Sequence, residues 1–184
     1  MSVPIIYHKQ FIANPDLALQ TLQNELEWKR YDGSPRDEYY CNDFPNPYTY
    51  GRGAGQRTYL PSPYHKNILD IRKDIESIVN CNLEVCFLNR YHDQKDSLGW
   101  HADDSPEMDD ARPIAIVSLG VEREIWFRPK GNKDKDLVEK MKLEHGSLCV
   151  MLPGMQDHWE HRIPKASFKC GERISLVYRG YVKV

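Results

Sequence analysis

The second half of the chain is a succession of short apolar runs of the β type, separated by Gly, Pro, Asp and Asn. After Asn82 these runs are EVCFLNRY, PIAIVSLG, REIWFR, GSLCVML and RISLVYRGYV. Strands at this spacing, with almost no helix between them, are typical of a double sheet or a barrel. We therefore predict a jelly-roll, or double-stranded β-helix, over residues 83–184.

Two amphipathic helices are predicted before this core. One starts at Asn14-Pro15 and the other at Ser62-Pro63, because both pairs match the residues preferred at a helix start. In each helix the apolar residues recur so that they share roughly one face. They are Leu17, Leu22 and Leu26 in the first helix, and Ile68, Ile71, Ile75 and Ile78 in the second.

The segment between the helices, Tyr31 to Pro63, is rich in Pro, Gly and Tyr and has no sustained period, which predicts loops with short strands. A length of 184 residues with 40% hydrophobic residues fits one domain with one sizeable core. We predict a single α+β domain over residues 1–184. In it, residues 1–82 form a helical and substrate-lid region, and residues 83–184 form the jelly-roll core with helices flanking it.

Charge and cysteine content limit the environment and the partners. The 25 Lys and Arg residues nearly balance the 27 Asp and Glu residues, so contact with a polyanion has to be local. No segment resembles a signal peptide or approaches the roughly 20 apolar residues that span a bilayer. The five cysteines are odd in number and form no CxxC pair, which favours a reducing compartment. We expect a monomer in the cytoplasm, or in the nucleus of a eukaryote, and no membrane contact.

Two predicted strands carry polar residues on a face that a sheet interior would bury. In RISLVYR the two-residue period of a strand places Arg173 and Arg179 on one face, opposite an apolar face. In EVCFLNRY, Asn89 and Tyr91 share a face in the same way. An arginine inside a β-rich core generally has an anionic partner. The alternative is that these arginines are solvated edge residues or pair with a local acid such as Glu172.

The segment GWHADD places His101 and Asp103 on the same side of an extended chain. HWEHRIP supplies a second histidine much later, and two imidazoles with one carboxylate form the facial triad of non-haem iron(II) oxygenases. Such a triad leaves positions for a bidentate 2-oxo acid and for oxygen. By itself HxD is a weak signal, since most such pairs are turns or solvated.

HWEHRIP contains two candidate ligands, His158 and His161. On an extended run they point to opposite faces. We favour His161, because Trp159 would share its face and help to form the wall of the pocket.

The ordered segments NRYxD, GWHADD, PIAIVSLG, LEHGSL, HWEHRIPK and ERISLVYRGY resemble the AlkB-type dioxygenases, over residues 89–181. The resemblance implies Fe(II), 2-oxoglutarate and O2, and oxidative dealkylation of N-alkylated bases in DNA or RNA, as in DNA repair, giving succinate, CO2 and an aldehyde. It implies several site residues. His101, Asp103 and His161 would hold iron and form the catalytic centre, Tyr91 and Arg173 would hold the distal carboxylate of 2-oxoglutarate, and Asn89 and Arg179 would lie near its metal-bound end.

Upstream, SPR, YTYGRG and LPSPYHKNILDI resemble the substrate-facing region of the same family. The resemblance implies that Tyr48 and Tyr50 line a pocket for the base, although they could be ordinary strand aromatics. Arg36 and Glu107 are further candidates for substrate binding. Two basic groups could contact phosphates, or could be ordinary solvated surface. They are Lys29, Arg30, Arg36, Arg52 and Arg57, and Arg128, Lys130, Lys133 and Lys135.

Three residues depart from the family pattern. Ser105 stands where family members often have an acid that helps to read the damaged base, Ser175 stands where the family has Asn, and Val177 where it usually has Thr. Two alternatives therefore stay open. One is a 2-oxoglutarate oxygenase acting on a protein side chain or a small molecule, and the other is a non-catalytic jelly-roll binding module.

Overall fold

A large antiparallel sheet dominates the computed structural model, which describes residues 2–51 and 56–182. Its six strands lie side by side in an order that differs from their order in the chain, so neighbouring strands are joined by crossovers. In spatial order they are β1 (Ile5–His8), β10 (Ser147–Met151), β7 (Ile114–Gly120), β12 (Arg173–Arg179), β5 (Val85–Tyr91) and β2 (Asp37–Asn42).

A second, four-stranded antiparallel sheet packs against the first across a shared apolar core. Its strands, in spatial order, are β6 (Leu98–His101), β11 (Trp159–Ile163), β8 (Arg123–Pro129) and β9 (Glu139–Leu143). A separate hairpin of β3 (Tyr48–Tyr50) and β4 (Arg57–Tyr59) adds two further strands. Two antiparallel sheets with few helices agree with the predicted jelly-roll architecture.

The alternation predicted for β12 places its two faces in different environments. Ile174, Leu176 and Tyr178 pack in the core that the large sheet shares with the helices, together with Cys86 and Leu88 of β5. The opposite, more polar face points toward the second sheet. The sheet thus separates a purely structural core from the space in which a site can form.

Three helices accompany the sheets within the described residues: α1 (Pro15–Glu25), α2 (Lys66–Val79) and α3 (Met155–His158). Asn14 caps α1 as predicted, since its Oδ1 accepts a hydrogen bond from the amide of Leu17 at 3.2 Å. The Leu17 side chain is exposed, contrary to prediction. Leu17 and Leu22 are five residues apart, and so about 140° apart on a helix. None of these helices has the length and apolarity needed to cross a bilayer.

The second helix starts later than the sequence predicted. Ser62-Pro63 does not open it, because the chain stays extended to His65, whose Nδ1 caps the helix by accepting from the amide of Asn67 at 3.1 Å. Ile78 at its far end is exposed as well. The buried face is carried by Ile68, Ile71 and Ile75.

The division predicted at residue 82 is not a boundary in the fold. Strand β1 pairs with β10 and strand β2 pairs with β5, so two strands of the N-terminal segment complete the large sheet. The two strands were not predicted, because they span only four and six residues and are too short to show a clear two-residue alternation of apolar and polar side chains. The β3-β4 hairpin packs against the large sheet. Its Tyr48 and Tyr59 pack on Tyr40 and Phe87 at one end of the space between the sheets.

Candidate active site

The predicted metal ligands come together where the two sheets face each other. His101 at the end of β6 and His161 in β11 are direct register partners on adjacent strands. Asp103 Oδ1 lies 3.5 Å from His101 Nε2, and Asp103 Oδ2 lies 3.5 Å from His161 Nε2. Donor atoms of all three residues lie within 4.8 Å of one another. Two atoms bound to one ion at about 2.1 Å lie roughly 3–4 Å apart, so this triad fits a single metal ion.

Neighbouring groups hold the ligands in place. His101 Nδ1 lies 2.8 Å from the carbonyl oxygen of Gly99, so Nδ1–H donates there and Nε2 remains available to a metal. The amide of Asp103 donates to Gln156 Oε1 at 2.9 Å, and the guanidinium of Arg179 donates to the carbonyl oxygen of Asp103. His161 Nδ1 is buried and has no hydrogen-bond partner among the described residues.

The electrostatics of the triad favour metal binding. Burial disfavours ionisation of Asp103, but hydrogen bonds from His101 and His161 and the charge of Arg179 hold the pKa of this carboxyl well below its usual range. Burial, followed by the nearby charge of His101, lowers the pKa of His161. A carboxylate and a neutral imidazole are the forms that bind ferrous iron.

A cavity between the sheets extends from the triad. Its lining includes each residue that the sequence predicted for 2-oxoglutarate: Asn89, Tyr91, Arg173 and Arg179. Ser175 and Val177 line it as well, which confirms the face assignment for β12. Apolar side chains from both sheets complete its wall, among them Ile116, Ile125 and Leu143.

Arg173 is the clearest sign of an anionic ligand. Its side chain is 1% exposed, and its Nη2 donates to Ser118 Oγ at 2.9 Å, while Nε and Nη1 are buried without a partner. Burial lowers the pKa of this guanidinium. Glu172 does not neutralise Arg173, because it pairs with Arg90 at 2.9 Å on the outer side. A buried cation with free donors in the wall of a cavity fits the carboxylate of a bound dicarboxylic acid.

The Asn89 side chain is oriented by two residues from the neighbouring strand segment. Arg36 Nε donates to Asn89 Oδ1 at 2.5 Å, and Arg36 Nη2 lies 2.9 Å from Glu38 Oε1. Because the amide oxygen is occupied, the Asn89 amide nitrogen is left as a donor toward the cavity. Arg36 is buried and lines the cavity, so it cannot reach the phosphates of a nucleic acid as the basic-cluster prediction required.

The other predicted substrate residues divide into two groups. Tyr48 and Tyr50 both line the cavity, and Tyr50 lies edge-on to His101 with ring centroids 6.3 Å apart. The Tyr48 hydroxyl lies 2.9 Å from Ser105 Oγ. Glu107 is not among the residues that line the cavity, whereas Met108 is. The Oε2 atom of Glu107 is buried without a hydrogen-bond partner, and its charge acts on the pKa of Tyr48.

Several residues of the two basic groups form ion pairs within the protein. Arg30 pairs with Asp37 and Asp96, and Arg128 pairs with Glu160 at 2.5 Å. Lys29, Lys133 and Lys135 are exposed, Lys130 lies 2.8 Å from Asp104, and Arg57 lies 3.9 Å from Glu38. Arg52 lies outside the described residues. These pairs weaken the prediction of two phosphate-binding clusters.

The choice of His161 over His158 agrees with the structure, but the reasons for it need correction. His158 ends the short helix α3 and is exposed, so it is not on the extended run that was predicted. Trp159 does share the buried face of β11 with His161. It packs in the core between the sheets with Phe127 and does not line the cavity.

Sequence reasoning missed two residues that support the site. Gln156 holds the Asp103 backbone, and no local pattern signals it. Arg123 is 2% exposed, donates to the carbonyl oxygens of Asp96 and Pro164, and lies 5.6 Å from the ring centroid of Tyr91. The burial of Arg123 could have been predicted from REIWFR, because the two-residue period of a strand places this arginine on the same face as Ile125 and Phe127.

A double-sheet fold with a two-histidine, one-carboxylate triad beside a buried cationic cavity defines a non-haem iron oxygenase with an anionic cosubstrate. The chain also matches the 2OG-Fe(II) oxygenase superfamily over residues 4–179. It therefore belongs to that superfamily, which implies ferrous iron, 2-oxoglutarate and O2.

The individual relatives that the chain resembles include AlkB homologs. Over 179 residues it is 32% identical to the bovine alpha-ketoglutarate-dependent dioxygenase alkB homolog 3, covering 89% of this chain and 60% of that protein. It is 28% identical to the human DNA oxidative demethylase ALKBH2, covering 91% of this chain and 69% of that protein. The solved structure of OsALKBH1 shares the fold, with a TM-score of 0.66 at 16% identity, covering 97% of this chain and 99% of OsALKBH1. The chain thus spans about 60% of the length of the alkB homolog 3 protein it matches.

Proposed function

We propose that this protein is an Fe(II)- and 2-oxoglutarate-dependent dioxygenase that removes alkyl groups from nitrogen atoms of nucleic-acid bases. The observation that carries the proposal is one cavity, lined by the metal triad, by Arg173 with its two unpartnered donors Nε and Nη1, and by the aromatic pair Tyr48 and Tyr50. The names of two relatives, a DNA oxidative demethylase and an alkB homolog, support the choice of substrate.

Bound ferrous iron, 2-oxoglutarate and O2 supply the oxidation that converts the N-alkyl group to an aldehyde, with release of succinate and CO2. The protein positions the reactants. His101, Asp103 and His161 hold the metal. Arg173 and Tyr91 bind the distal carboxylate of 2-oxoglutarate, and the apolar wall around them keeps water away from the charged pair.

The tyrosine pair serves the base. A base must leave its stack before its alkyl group can reach the metal, and flat side chains favour that extruded position. Tyr50 lies next to His101, so a base held at Tyr50 is adjacent to the triad. Burial raises the pKa of Tyr50, so its phenol stays neutral and remains a hydrogen-bond donor at physiological pH.

The experiment is a comparison of 2-oxoglutarate turnover with different substrates, measured as succinate release. We expect methylated single-stranded DNA, duplex DNA or RNA to raise turnover above the level without substrate, with formaldehyde formed in equal amount. Asp103→Ala should abolish this turnover, whereas Asp104→Ala, an exposed neighbour, should keep it.

Stimulation by a protein or a small molecule, with none by any methylated nucleic acid, would show a different substrate class for the same oxygenase. Neither binding nor consumption of 2-oxoglutarate by the iron-loaded protein would indicate a binding module. We further propose a monomer in a reducing compartment such as the cytoplasm or nucleus, since all five cysteines are free thiols.

A further inference from the structure

The outer face of the four-stranded sheet carries a row of alternating aromatic and cationic side chains. The inner face of β11 holds His161, so the two-residue period of the strand turns Arg162 outward. Arg162, Trp126 and Lys140 are successive register partners on β11, β8 and β9. Trp100 on β6 lies beside Arg162, so the row crosses all four strands.

The tryptophan rings hold the two cations of this row. The guanidinium carbon of Arg162 lies 4.3 Å from the ring centroid of Trp126 and 5.0 Å from that of Trp100. Lys140 Nζ lies 4.1 Å from the ring centroid of Trp126. A cation–π contact attracts a charged side chain but supplies no negative charge to neutralise it. The row therefore presents two positioned positive charges on an outward face.

Neither cation has an acidic partner within the described residues. The side-chain nitrogens of Arg162 and Lys140 form no hydrogen bond and no ion pair there, and Arg162 Nε is buried without a partner. A cation left in this way can accept an external anion without first giving up a partner inside the protein.

The acids on the same face do not neutralise the row. Glu160 pairs with Arg128 at 2.5 Å. Glu124 accepts a hydrogen bond from the indole N–H of Trp126 at 2.8 Å and is the register partner of Lys142. These two acids and the two cations next to them balance each other. The two positive charges of the row remain as a surplus.

A groove of 520 Å³ lies along one side of the row, at Trp126. Its wall adds Lys165 and Glu122, which have opposite charges, and Phe168, whose side chain is 55% exposed. Single-stranded nucleic acids bind to surfaces that combine cations for the phosphates with exposed aromatic rings for the bases. The row and the groove together supply both.

The row starts on the strand that carries a metal ligand. Trp100 immediately precedes His101 on β6, which is an edge strand of the sheet. Tyr50 lies edge-on to His101, so a base held at Tyr50 is next to this edge. Strands about 4.8 Å apart place the far end of the row about 14 Å from β6. A nucleic-acid strand that leaves the site over β6 thus reaches the row within a few nucleotides.

We propose that the outer face of the four-stranded sheet binds the single-stranded nucleic acid that flanks the alkylated base. Arg162 and Lys140 contact its phosphates, and Phe168 offers a ring for stacking. This inference rests on the proposed dealkylase function. Phosphate contacts do not read the base sequence, so this face raises affinity for the strand and leaves the choice of base to the cavity.

Substrates of two lengths test this second contact. Two single strands, of three and of about 15 nucleotides, carry the same central base, 1-methyladenine or 3-methylcytosine. The trinucleotide is too short to leave the site and cover the row. We expect a higher kcat/KM for the long strand in the unmodified protein, measured at about 0.1 M salt.

Lys140→Gln removes one charge of the row. One phosphate contact on a single strand contributes about 0.7 to the slope of log affinity against log salt. This variant should therefore bind the long strand about fivefold more weakly at about 0.1 M salt, with a slope smaller by about 0.7. Anaerobic binding with Mn(II) in place of iron measures both. Its kcat/KM for the trinucleotide should not change.

Two controls separate the charge of the row from other effects. Lys73→Gln removes an exposed charge from α2 and should change neither the affinity for the long strand nor its salt slope. Arg162→Gln should weaken binding as Lys140→Gln does, whereas Arg162→Lys keeps the charge and should keep the salt slope.

An equal kcat/KM for the two lengths, or unchanged binding of the long strand in both Lys140→Gln and Arg162→Gln, overturns the proposed face and leaves the dealkylase function standing. A polyglutamate of about 15 residues that displaces the long strand as well as unlabelled DNA of the same sequence does would show a surface for acidic peptides and overturn the nucleic-acid assignment. No turnover on any methylated strand, in protein shown to bind iron and 2-oxoglutarate, overturns the dealkylase function and this inference together.

Discussion

Arg173 and Tyr91 are register partners on the adjacent strands β12 and β5, with the guanidinium carbon of Arg173 5.2 Å from the ring centroid of Tyr91. Arg123 lies 5.6 Å from the same ring. Neither arginine has a salt bridge to a carboxylate within the described residues. Two buried guanidiniums around one phenol thus give this part of the site a positive charge that a dicarboxylate can neutralise.

Arg173→Met should have opposite effects on stability and on binding. It removes a buried charge with two unpaired donors, so the free energy of unfolding of the protein without ligands should rise by about 1 kcal/mol. It also removes charge-assisted hydrogen bonds worth about 1.5–3 kcal/mol, so 2-oxoglutarate should bind roughly ten- to a hundredfold more weakly. Urea unfolding and calorimetric titration with Mn(II) bound measure the two effects.

Arg90→Met is the matched control for that variant. Arg90 lies on β5, but its guanidinium pairs with Glu172 on the outer side of the sheet. This change should leave 2-oxoglutarate affinity within about twofold, because surface pairs contribute little. Equal weakening in both variants would remove Arg173 from the binding site.

Arg123 should act as a positioning residue for Tyr91. Its donors are used by backbone carbonyl groups of Asp96 and Pro164, so it does not need to touch 2-oxoglutarate. Arg123→Lys keeps the charge and should raise the KM for 2-oxoglutarate only a few-fold, whereas Arg123→Gln should raise it by about tenfold at nearly unchanged kcat. A loss of kcat with an unchanged KM in Arg123→Gln would contradict this role.

Gly120 at the end of β7 should not tolerate a side chain. Its φ is +95°, and a Cβ atom there would lie 2.3 Å from the carbonyl oxygen of Glu172, which precedes β12. Gly120→Ala should lower the free energy of unfolding by about 2–3 kcal/mol. A Cβ at Gly99 would have no atom within 4 Å, so Gly99→Ala should change the free energy of unfolding by less than about 0.5 kcal/mol. Equal effects in urea unfolding would contradict the steric explanation.

Stability at acidic pH should depend on Glu84. Burial opposes its ionisation, but hydrogen bonds from the Tyr181 amide and Arg112 outweigh this and lower the pKa of Glu84 below its ordinary 4.5. A lowered carboxyl pKa adds stability that is present above the ordinary pKa and is lost as pH falls through the folded-state pKa. The Tm difference between the unmodified protein and Glu84→Gln should therefore be largest near pH 7 and shrink below pH 4.5.

Glu122→Gln, at an exposed position, is the control for this titration. It should change Tm little across the range. A difference between Glu84→Gln and the unmodified protein that stays constant from pH 7 to pH 3 would show that Glu84 acts by packing and not by its charge.

Features set by local alternation could be predicted from the sequence. The polar face of β12 and the pairing of His101 with Asp103 follow from the two-residue period of a strand. The same period contains the signal for Arg123. The metal ligand His161 required the resemblance as well, because the short helix that ends at His158 is not visible in the local pattern.

Features set by distant contacts could not be predicted. Arg36 is fixed by Asn89, 53 residues away, so its sequence neighbours suggested a surface cation while the fold buries it. Trp159 lies on the expected face of β11. The two-residue period gives the face of a side chain, but it does not show which residues of that face line the cavity. The backbone of Glu107 is likewise fixed by a distant contact, the hydrogen bond that its carbonyl oxygen accepts from the Val182 amide.

The most direct test of the proposed metal centre is an anaerobic titration of metal-free protein with Fe(II), measured by calorimetry. We predict one ion bound per chain, loss of tight binding in Asp103→Ala, and unchanged binding in His158→Ala. Unchanged affinity in Asp103→Ala, or loss of binding in His158→Ala, would contradict a metal centre formed by His101, Asp103 and His161.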